Sequence, residues 1–312
     1  MLEIKRILCP IDFSDFSKRA LDHASVFARL YSARITALHV FALAPGLVPF
    51  AAPEIAQPFT LSAADREQLL QSVKTFVNEE LGPAAPVDVV LAEGGSVHAE
   101  IVAQAEMLHA DLMVIGTHGR SGFEHFVLGS VTEKLLRKTE VPVLTIPRRM
   151  PDAVPAGSTL YRRILCAVDF SECSIAALLF AKSLATKSKA LLTIVNVLEL
   201  PPAISDPFGP GPFAYEDLQR ELEADAERRF KEIVPEATSA SSGPETVIAA
   251  GKPSQEILRI ARERESALIV VGVHGRSAVD RMLFGSTAHH LVRQSACPVL
   301  TLCSRSAPAR VA

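Results

Sequence analysis

The first half of the chain contains two hydrophobic patterns in turn: short continuous apolar runs, and longer segments whose apolar residues recur at helical spacing. Short apolar runs, each too short for a core helix, predict buried strands, and they lie at residues 6–11, 34–41, 87–92, 111–115 and 141–146. Between them, apolar residues recur at helical spacing, and these segments lie at residues 17–30, 62–81, 97–108 and 130–138. Ser14, just ahead of the first helical segment, is predicted to be its N-cap.

The second half of the chain repeats this order. The sequence IKRILCPIDFS begins at Ile4 and YRRILCAVDFS begins at Tyr161, so that Asp12 and Asp169 are 157 positions apart. A period of this length indicates a duplicated domain of ordinary size rather than a solenoid repeat. The Pro, Ala, Gly and Ser residues of 148–162 are typical of a linker, which predicts domains at 1–150 and 160–305.

Strands that alternate with helices pair in parallel through right-handed crossovers. Continuous apolar runs such as LIVV at 268–271 fit strands that are buried on both faces. The predicted fold class is therefore α/β. It consists of two tandem copies of an open five-stranded parallel-sheet domain with helices on both faces.

A glycine pattern occurs once in each half. GTHGRSGFEHFVLGS runs from Gly116 to Ser130, and GVHGRSAVDRMLFGS runs from Gly272 to Ser286. Both have the spacing Gly-x2-Gly-x9-Gly-Ser, and seven of the fifteen positions are identical. Any one of these glycines alone is better explained by a turn or a helix start than by a ligand contact, but the joint spacing, found twice, reverses that preference and favours a ligand cradle.

The fold rule for open α/β sheets locates that ligand. Ligands bind outside the carboxyl ends of the strands, where Asp12 follows the first predicted strand and Gly116 follows the fourth. If these two strands are neighbours, one crevice holds both residues. Gly116 and Gly119 allow close backbone approach. Ser130 opens a helix whose free N–H groups favour an anion, and Thr132 adds a second hydroxyl. These features predict a nucleotide with phosphates at the helix and its base or ribose near Asp12.

The composition of the chain restricts the kinds of partner that can be expected. A formal net charge of −3 gives no electrostatic reason to expect nucleic acid or an anionic membrane. No apolar run approaches the roughly 18 residues of a membrane span, and the N-terminus does not resemble a signal peptide. The five cysteines suit neither a disulfide framework nor a zinc site. We expect a cytoplasmic protein without a protein-bound metal cluster.

At these motifs the chain resembles a tandem universal stress protein, and specifically the ATP-binding kind. CPIDFS, LHV, GTHGRSG and GSVTEKLL read like the family pattern. The resemblance implies the strand order 3-2-1-4-5 and an Asp that reaches the nucleoside. The second half departs from the pattern at Ala167, which replaces Pro10, and at Ala288, which replaces Thr132. The second site is therefore expected to lack one hydroxyl, for which Thr287 is a partial replacement.

The resemblance also implies that Val40 and Val197 approach the adenine. The candidate nucleotide-binding residues of the first half are Pro10, Ile11, Asp12, Val40, Gly116, Gly119, Gly129, Ser130, Val131 and Thr132. Those of the second half are Ala167, Val168, Asp169, Val197, Gly272, Gly275, Gly285, Ser286 and Thr287. The expected ligand is ATP, or ADP or AMP, with Mg²⁺ held through phosphate oxygens and the Ser130 or Ser286 hydroxyl.

Three classes of function stay open. The first is a stress-response binding module that changes its shape or partners with nucleotide state, and the second is a slow ATPase. Because no general base can be assigned beside the glycine loop, binding is favoured over hydrolysis. The third is a scaffold with vestigial pockets, against which the intact glycines argue. The resemblance further suggests an internal pseudo-dimer of the two domains, and a homodimer of two chains is a hypothesis.

Overall fold

The structure is a computed structural model. It describes residues 3–42, 61–83, 85–119, 128–148, 161–199, 212–235, 243–274 and 284–303, with the backbone alone at 212–215. Residues 3–148 and 161–303 of this set belong to two separate compact units.

Each unit alternates strands and helices in the predicted order. The first unit contains β1 (Arg6–Pro10), α1 (Asp15–Tyr31), β2 (Arg34–Ala42), α2 (Ala63–Leu81), β3 (Val87–Gly94), α3 (Val97–Met107), β4 (Leu112–Gly116), α4 (Ser130–Lys138) and β5 (Val143–Ile146). The second contains β6 (Arg163–Ala167), α5 (Glu172–Ser188), β7 (Leu191–Leu198), α6 (Pro212–Ile233), β8 (Glu245–Ala250), α7 (Pro253–Glu263), β9 (Leu268–Gly272), α8 (Ser286–Gln294) and β10 (Val299–Leu302).

The strand order confirms the prediction in both units. The order is β3-β2-β1-β4-β5 in the first unit and β8-β7-β6-β9-β10 in the second, which is 3-2-1-4-5 in each. The pairs within each unit are parallel; Ile7, for example, lies between Ile35 of β2 and Leu112 of β4. The carboxyl ends of β1 and β4 are therefore neighbours at one edge of the sheet, where the direction of winding reverses.

The helices cover both faces of each sheet. In the first unit α1 packs against α2, and α3 packs against α4. Right-handed crossovers require this division, because the connections β1-α1-β2 and β2-α2-β3 run one way across the sheet and the next two run the other way. β4 is buried at all five of its positions, as expected for a central strand covered on both sides.

The helix that follows β1 begins and ends in the same way in both units. The Ser14 side chain accepts a hydrogen bond from the N–H of Ser17, which confirms it as the N-cap of α1, and Ser171 does the same for α5. Both helices end at a residue in the left-handed region, Ser32 and Lys189, each with φ 54°. The duplication therefore extends to the turns on either side of this helix.

Candidate functional site

A cluster of hydrogen bonds holds Asp12 at the turn between β1 and α1. Its Oδ1 atom accepts from the Ser14 N–H at 3.1 Å, from the Ser14 hydroxyl at 2.5 Å and from the Ser17 hydroxyl at 2.6 Å. The Asp12 N–H in turn donates to Ser17 Oγ at 2.9 Å. Since hydrogen bonds to an ionised acceptor are strong ones, these contacts fix the orientation of a half-buried carboxylate.

The second unit builds a similar cluster around Asp169. Its Oδ1 atom accepts from the Ser171 N–H at 3.0 Å and from the Ser171 hydroxyl at 2.6 Å. The Ser174 hydroxyl differs from its counterpart, because it donates to the Ser171 carbonyl at 3.0 Å. The Ser171 hydroxyl also lies 3.3 Å from the His274 carbonyl oxygen, which joins the Asp169 turn to the chain that follows β9.

The first glycine of each motif is required by packing. A β-carbon on Gly116 would lie 2.7 Å from Cβ of Phe16, and one on Gly272 would lie 2.8 Å from the carbonyl carbon of Cys173 and 2.9 Å from the N atom of Ser174. Both glycines end their strands instead of following them. They let the first turn of α1 or α5 lie directly on the sheet, which is a different use from the ligand approach that the sequence suggested for Gly116.

The second glycine of the first motif lies against the carboxylate. A β-carbon on Gly119 would lie 2.7 Å from Oδ2 of Asp12. Because the Asp12 side chain is held through Oδ1, a larger residue at 119 would meet it directly. The structure thus brings Asp12 and Gly119 into contact. The equivalent Gly275 lies outside the described residues.

The third glycine opens the helix that follows the loop. Gly129 and Gly285 are the N-caps of α4 and α8, and neither helix has a side-chain cap. The N–H of each glycine donates to a backbone carbonyl that lies just after the preceding strand. Gly129 donates to the Thr117 carbonyl at 2.8 Å, and Gly285 donates to the Val273 carbonyl at 2.9 Å. The first turns begin with the exposed serines that were predicted, Ser130 and Ser286. Helix N-termini without a side-chain cap favour anions.

The structure gives Thr132 a different role from the predicted one. Its side chain is 3% exposed, and its hydroxyl donates to the Gly116 carbonyl at 2.9 Å. A hydroxyl has one proton, so this one is used within the fold and is not the phosphate donor that the sequence suggested. Ala288, at the matching position of α8, is 2% exposed. The change from Thr132 to Ala288 therefore removes an internal hydrogen bond.

The remaining candidates line the strand ends or the helix starts. Four are buried at or just after the ends of β1 and β6: Pro10, Ile11, Ala167 and Val168. Gly272, which is half-buried, ends β9. Four more are half-buried, namely Val40 and Val197 near the carboxyl ends of β2 and β7, and Val131 and Thr287 in the first turns of α4 and α8. The half-buried group presents apolar surface at the predicted edge of each sheet, and Thr287 adds one hydroxyl in the second unit.

Several residues of this site were missed by the sequence reasoning. Ser14, predicted only as an N-cap, and Ser17 orient the Asp12 carboxylate, and Ser171 orients that of Asp169. Ser174 instead accepts a hydrogen bond from the Asp169 N–H. The signal was present as Asp-Phe-Ser-x-x-Ser, which occurs in both halves. His39 and its counterpart Asn196 also contact the turn, each through a bond to a backbone carbonyl. No short motif marks these two, because their partners lie 28 residues away along the chain.

Other chemistries find little support in the part of the chain that the structure describes. It contains no group of three or more His, Cys, Asp or Glu side chains that could hold a metal ion. Cys9 and Cys166 are fully buried, and burial raises the pKa of both thiols well above the usual range, which keeps them protonated and unreactive. Within the same residues, no helix has both the length and the apolar character needed to cross a membrane.

Comparison with known proteins gives one consistent family. A universal stress protein of Methanocaldococcus jannaschii is 34% identical over 146 residues, which are 46% of this chain and 82% of that protein. One of Mycolicibacterium smegmatis is 25% identical over 301 residues, 95% of this chain and 96% of that protein. A solved universal stress protein from Archaeoglobus fulgidus has a TM-score of 0.62 at 24% identity, over 96% of this chain and 98% of that one, and supports the fold.

The family model for the universal stress protein family matches the chain twice, at residues 3–147 and at residues 160–302. These two matches correspond to the two units of the structure and to the two copies of the glycine motif. The chain therefore belongs to the universal stress protein family and carries two of its domains in tandem.

Proposed function

We propose that each unit binds one adenine nucleotide, ATP, at the carboxyl edge of its sheet. The observation that carries this proposal is the approach of Gly119 to Oδ2 of Asp12, beside a helix without a side-chain cap. A β-carbon on Gly129 would lie 3.6 Å from the Cα atom of His118, the residue before Gly119. Carboxylate, glycine and helix N-terminus thus form one continuous surface.

Electrostatics sets the direction of the nucleotide. The N-terminus of α4 carries a partial positive charge and free N–H groups, so the phosphates are expected there. A carboxylate repels phosphate, so Asp12 is expected to face the nucleoside, whose hydroxyl and amino groups donate hydrogen bonds. The half-buried Val40 provides apolar surface for the adenine. In the second unit Asp169, Val197 and α8 take the same roles.

The resemblance to the ATP-binding kind of universal stress protein supports ATP over other nucleotides. The residues present fit Mg²⁺ as a companion of the phosphates and not as a resident ion, because the described residues contain no ready-made cluster of ligands. Mg²⁺ usually keeps several waters and takes few protein ligands. The exposed hydroxyls of Ser130 and Ser286 are the expected protein contacts.

Binding is favoured over turnover. A general base must lie beside the attacking water and take its proton, whereas Asp12 is expected to face the nucleoside, and its Oδ1 already accepts three hydrogen bonds. The Thr117 hydroxyl donates its proton to the Ile146 carbonyl, so Nδ1 of His118 donates to Thr117 Oγ1 at 3.0 Å and cannot itself accept a proton. Two alternatives have their own readouts. A slow ATPase would form ADP during incubation with ATP, and a scaffold with vestigial pockets would bind no ATP.

The domain limits of 1–150 and 160–305, the cytoplasmic location, the internal pseudo-dimer and the homodimer stay predictions. Light scattering of the purified chain at several concentrations tests the homodimer. A mass of one chain at all concentrations would remove it from the account.

Isothermal titration of the nucleotide-free chain with ATP and Mg²⁺ tests the proposal. We expect two molecules of ATP per chain. Asp12→Asn keeps an acceptor at Oδ1 but removes the charge, and it should weaken one of the two sites by about tenfold. Asp88→Asn is the matched control, because Asp88 is exposed on β3 and pairs with Arg34. Equal effects of the two variants, or no binding by the unaltered chain, would contradict the proposal.

The slow-ATPase alternative has its own readout. The chain is incubated with ATP and Mg²⁺, and ADP is measured over several hours. ADP that forms in proportion to protein, and no longer forms with Asp12→Asn and Asp169→Asn together, would favour hydrolysis at these sites. ATP that stays intact while bound supports the binding module.

A further inference from the structure

We infer that His39 and Asn196 are positioning residues, which hold Asp12 and Asp169 in place for the nucleotide by bonding the peptide group that precedes each carboxylate. The inference rests on the proposed function of the same sites. Neither residue is expected to touch the nucleotide through its own side chain. Each acts on the backbone from the neighbouring strand.

The peptide group between Ile11 and Asp12 lies just beyond the end of β1. Its carbonyl oxygen, on Ile11, lies 2.9 Å from Nδ1 of His39. Its N–H, on Asp12, donates to Ser17 Oγ at 2.9 Å. Both polar groups of one peptide are thus bonded to side chains, one from β2 and one from α1. Because the strand has ended, the sheet no longer supplies hydrogen-bond partners for this peptide group. A poorly hydrated backbone N–H or C=O without a hydrogen-bond partner lowers the stability of the fold.

The same peptide group in the second unit is held in the same way. Nδ2 of Asn196 donates to the carbonyl oxygen of Val168 at 2.8 Å. The N–H of Asp169 donates to Ser174 Oγ at 3.3 Å. The two units differ at this strand position, with histidine in one and asparagine in the other, yet the hydrogen bond is the same.

Covalent geometry explains why these two residue types are equivalent here. Nδ1 of histidine and Nδ2 of asparagine are both attached to Cγ, so both nitrogens lie the same number of bonds from the backbone. A carbonyl oxygen only accepts hydrogen bonds, so Nδ1 of His39 must carry a proton. Leucine has no donor at this position, and glutamine places its amide one carbon farther away.

The residue after each carboxylate is also constrained. Phe13 has φ 63° and Phe170 has φ 65°, a left-handed conformation that is uncommon for a bulky side chain. The ring of Phe13 packs against His39 with centroids 4.8 Å apart. His39 therefore contacts the turn on both sides of Asp12, at the peptide before it and at the ring after it.

The buried amide of Asn196 is only partly hydrogen-bonded, which lowers the stability of the fold. Its side chain is 4% exposed, and its Oδ1 atom has no hydrogen-bond partner in the part of the chain that the structure describes. The amide cannot be turned to relieve this, because its nitrogen must face the Val168 carbonyl. A buried polar group that is only half satisfied destabilises a fold, so the Nδ2 bond is the reason that we assign for an amide at this position.

The test is a double-mutant cycle on ATP affinity at the first site, in a chain that carries Asp169→Asn to weaken the second. His39→Leu removes the donor and should weaken ATP binding about tenfold. His39→Asn restores a donor at the δ position and should return the affinity to within about twofold of the parent chain. In a chain that also carries Asp12→Asn, His39→Leu should have no further effect, because a residue that acts through Asp12 is coupled to it.

Additive effects of His39→Leu and Asp12→Asn, or equal losses with His39→Leu and His39→Asn, would overturn the inference. Thermal unfolding of each variant shows whether the fold is kept. If His39→Leu does not fold, His39→Gln replaces it, since its amide lies beyond the δ position, and the same two criteria apply. If the parent chain itself binds no ATP, the proposed function fails; if it binds and only the cycle fails, the positioning role alone is wrong.

Discussion

The Oδ2 atom of Asp12 lies 2.7 Å from the point that a β-carbon on Gly119 would occupy. Asp12 follows β1 and Gly119 follows β4, so this contact joins two segments that are far apart in the chain. It is possible because β1 and β4 are neighbours in the sheet. The contact makes the size of residue 119 and the position of a carboxylate depend on each other.

Gly119→Ala is therefore expected to affect the ligand site more than the fold. The new methyl group would push the Asp12 carboxylate away from the position that its Oδ1 bonds define. We predict about tenfold weaker ATP binding at the first site, with a change in the free energy of unfolding below about 1 kcal/mol. Titration calorimetry and urea unfolding of the same sample check this. A large loss of stability with unchanged affinity would assign Gly119 to packing.

Gly272→Ala is expected to do the opposite. Its β-carbon would meet backbone atoms of Cys173 and Ser174, at 2.8 Å and 2.9 Å, and backbone cannot move aside as a side-chain end can. We predict a loss of roughly 2 kcal/mol in the free energy of unfolding, in the range of overpacked cores. Urea unfolding measures it. Unchanged stability would mean that α5 is free to move away from the sheet.

Thr132→Val tests the internal role of the Thr132 hydroxyl. Valine keeps the shape of the side chain but leaves the Gly116 carbonyl without its 2.9 Å partner. We predict a loss of about 1–2 kcal/mol in the free energy of unfolding and an ATP affinity within about twofold of the parent. If affinity fell and stability did not, the hydroxyl would belong to the ligand site after all.

Sequence alone was sufficient for the order of the elements and for the crevice. Apolar runs of strand length and the two copies in register predicted the elements, and the resemblance to the universal stress proteins implied the strand order that makes β1 and β4 neighbours. The rule for ligands in open α/β sheets then put Asp12 and the glycine motif at one edge. The pattern could not separate two uses of glycine, since Gly116 lies against Phe16 and Gly119 lies against a carboxylate. It also could not assign His39 or Thr132, whose partners are backbone carbonyls brought close only by the fold.

His23 gives the first unit a dependence on pH. It is 1% exposed in α1, and burial lowers its pKa from 6.5 to about 4. The unfolded chain therefore binds a proton at this residue before the folded chain does, so stability falls as the pH drops from about 6.5 towards about 4. Between about pH 7 and about pH 5 the expected loss from this group is roughly 2 kcal/mol.

His23→Phe should remove that part of the pH dependence. Phenylalanine is the residue at the matching position of α5, where Phe180 is 3% exposed. Urea unfolding of both chains at about pH 7 and about pH 5 gives the difference, which we expect to be roughly 2 kcal/mol. Parallel losses of stability in the two chains would show that other groups cause the acid sensitivity.

The nucleotide content of the chain as purified tests the central claim most directly. The protein is denatured, and the supernatant is analysed by anion exchange for nucleotide per chain. We predict ATP at close to two per chain, falling to close to one with Asp12→Asn. Absence of nucleotide, followed by no binding of added ATP with Mg²⁺, would contradict the account and leave a duplicated scaffold without a ligand.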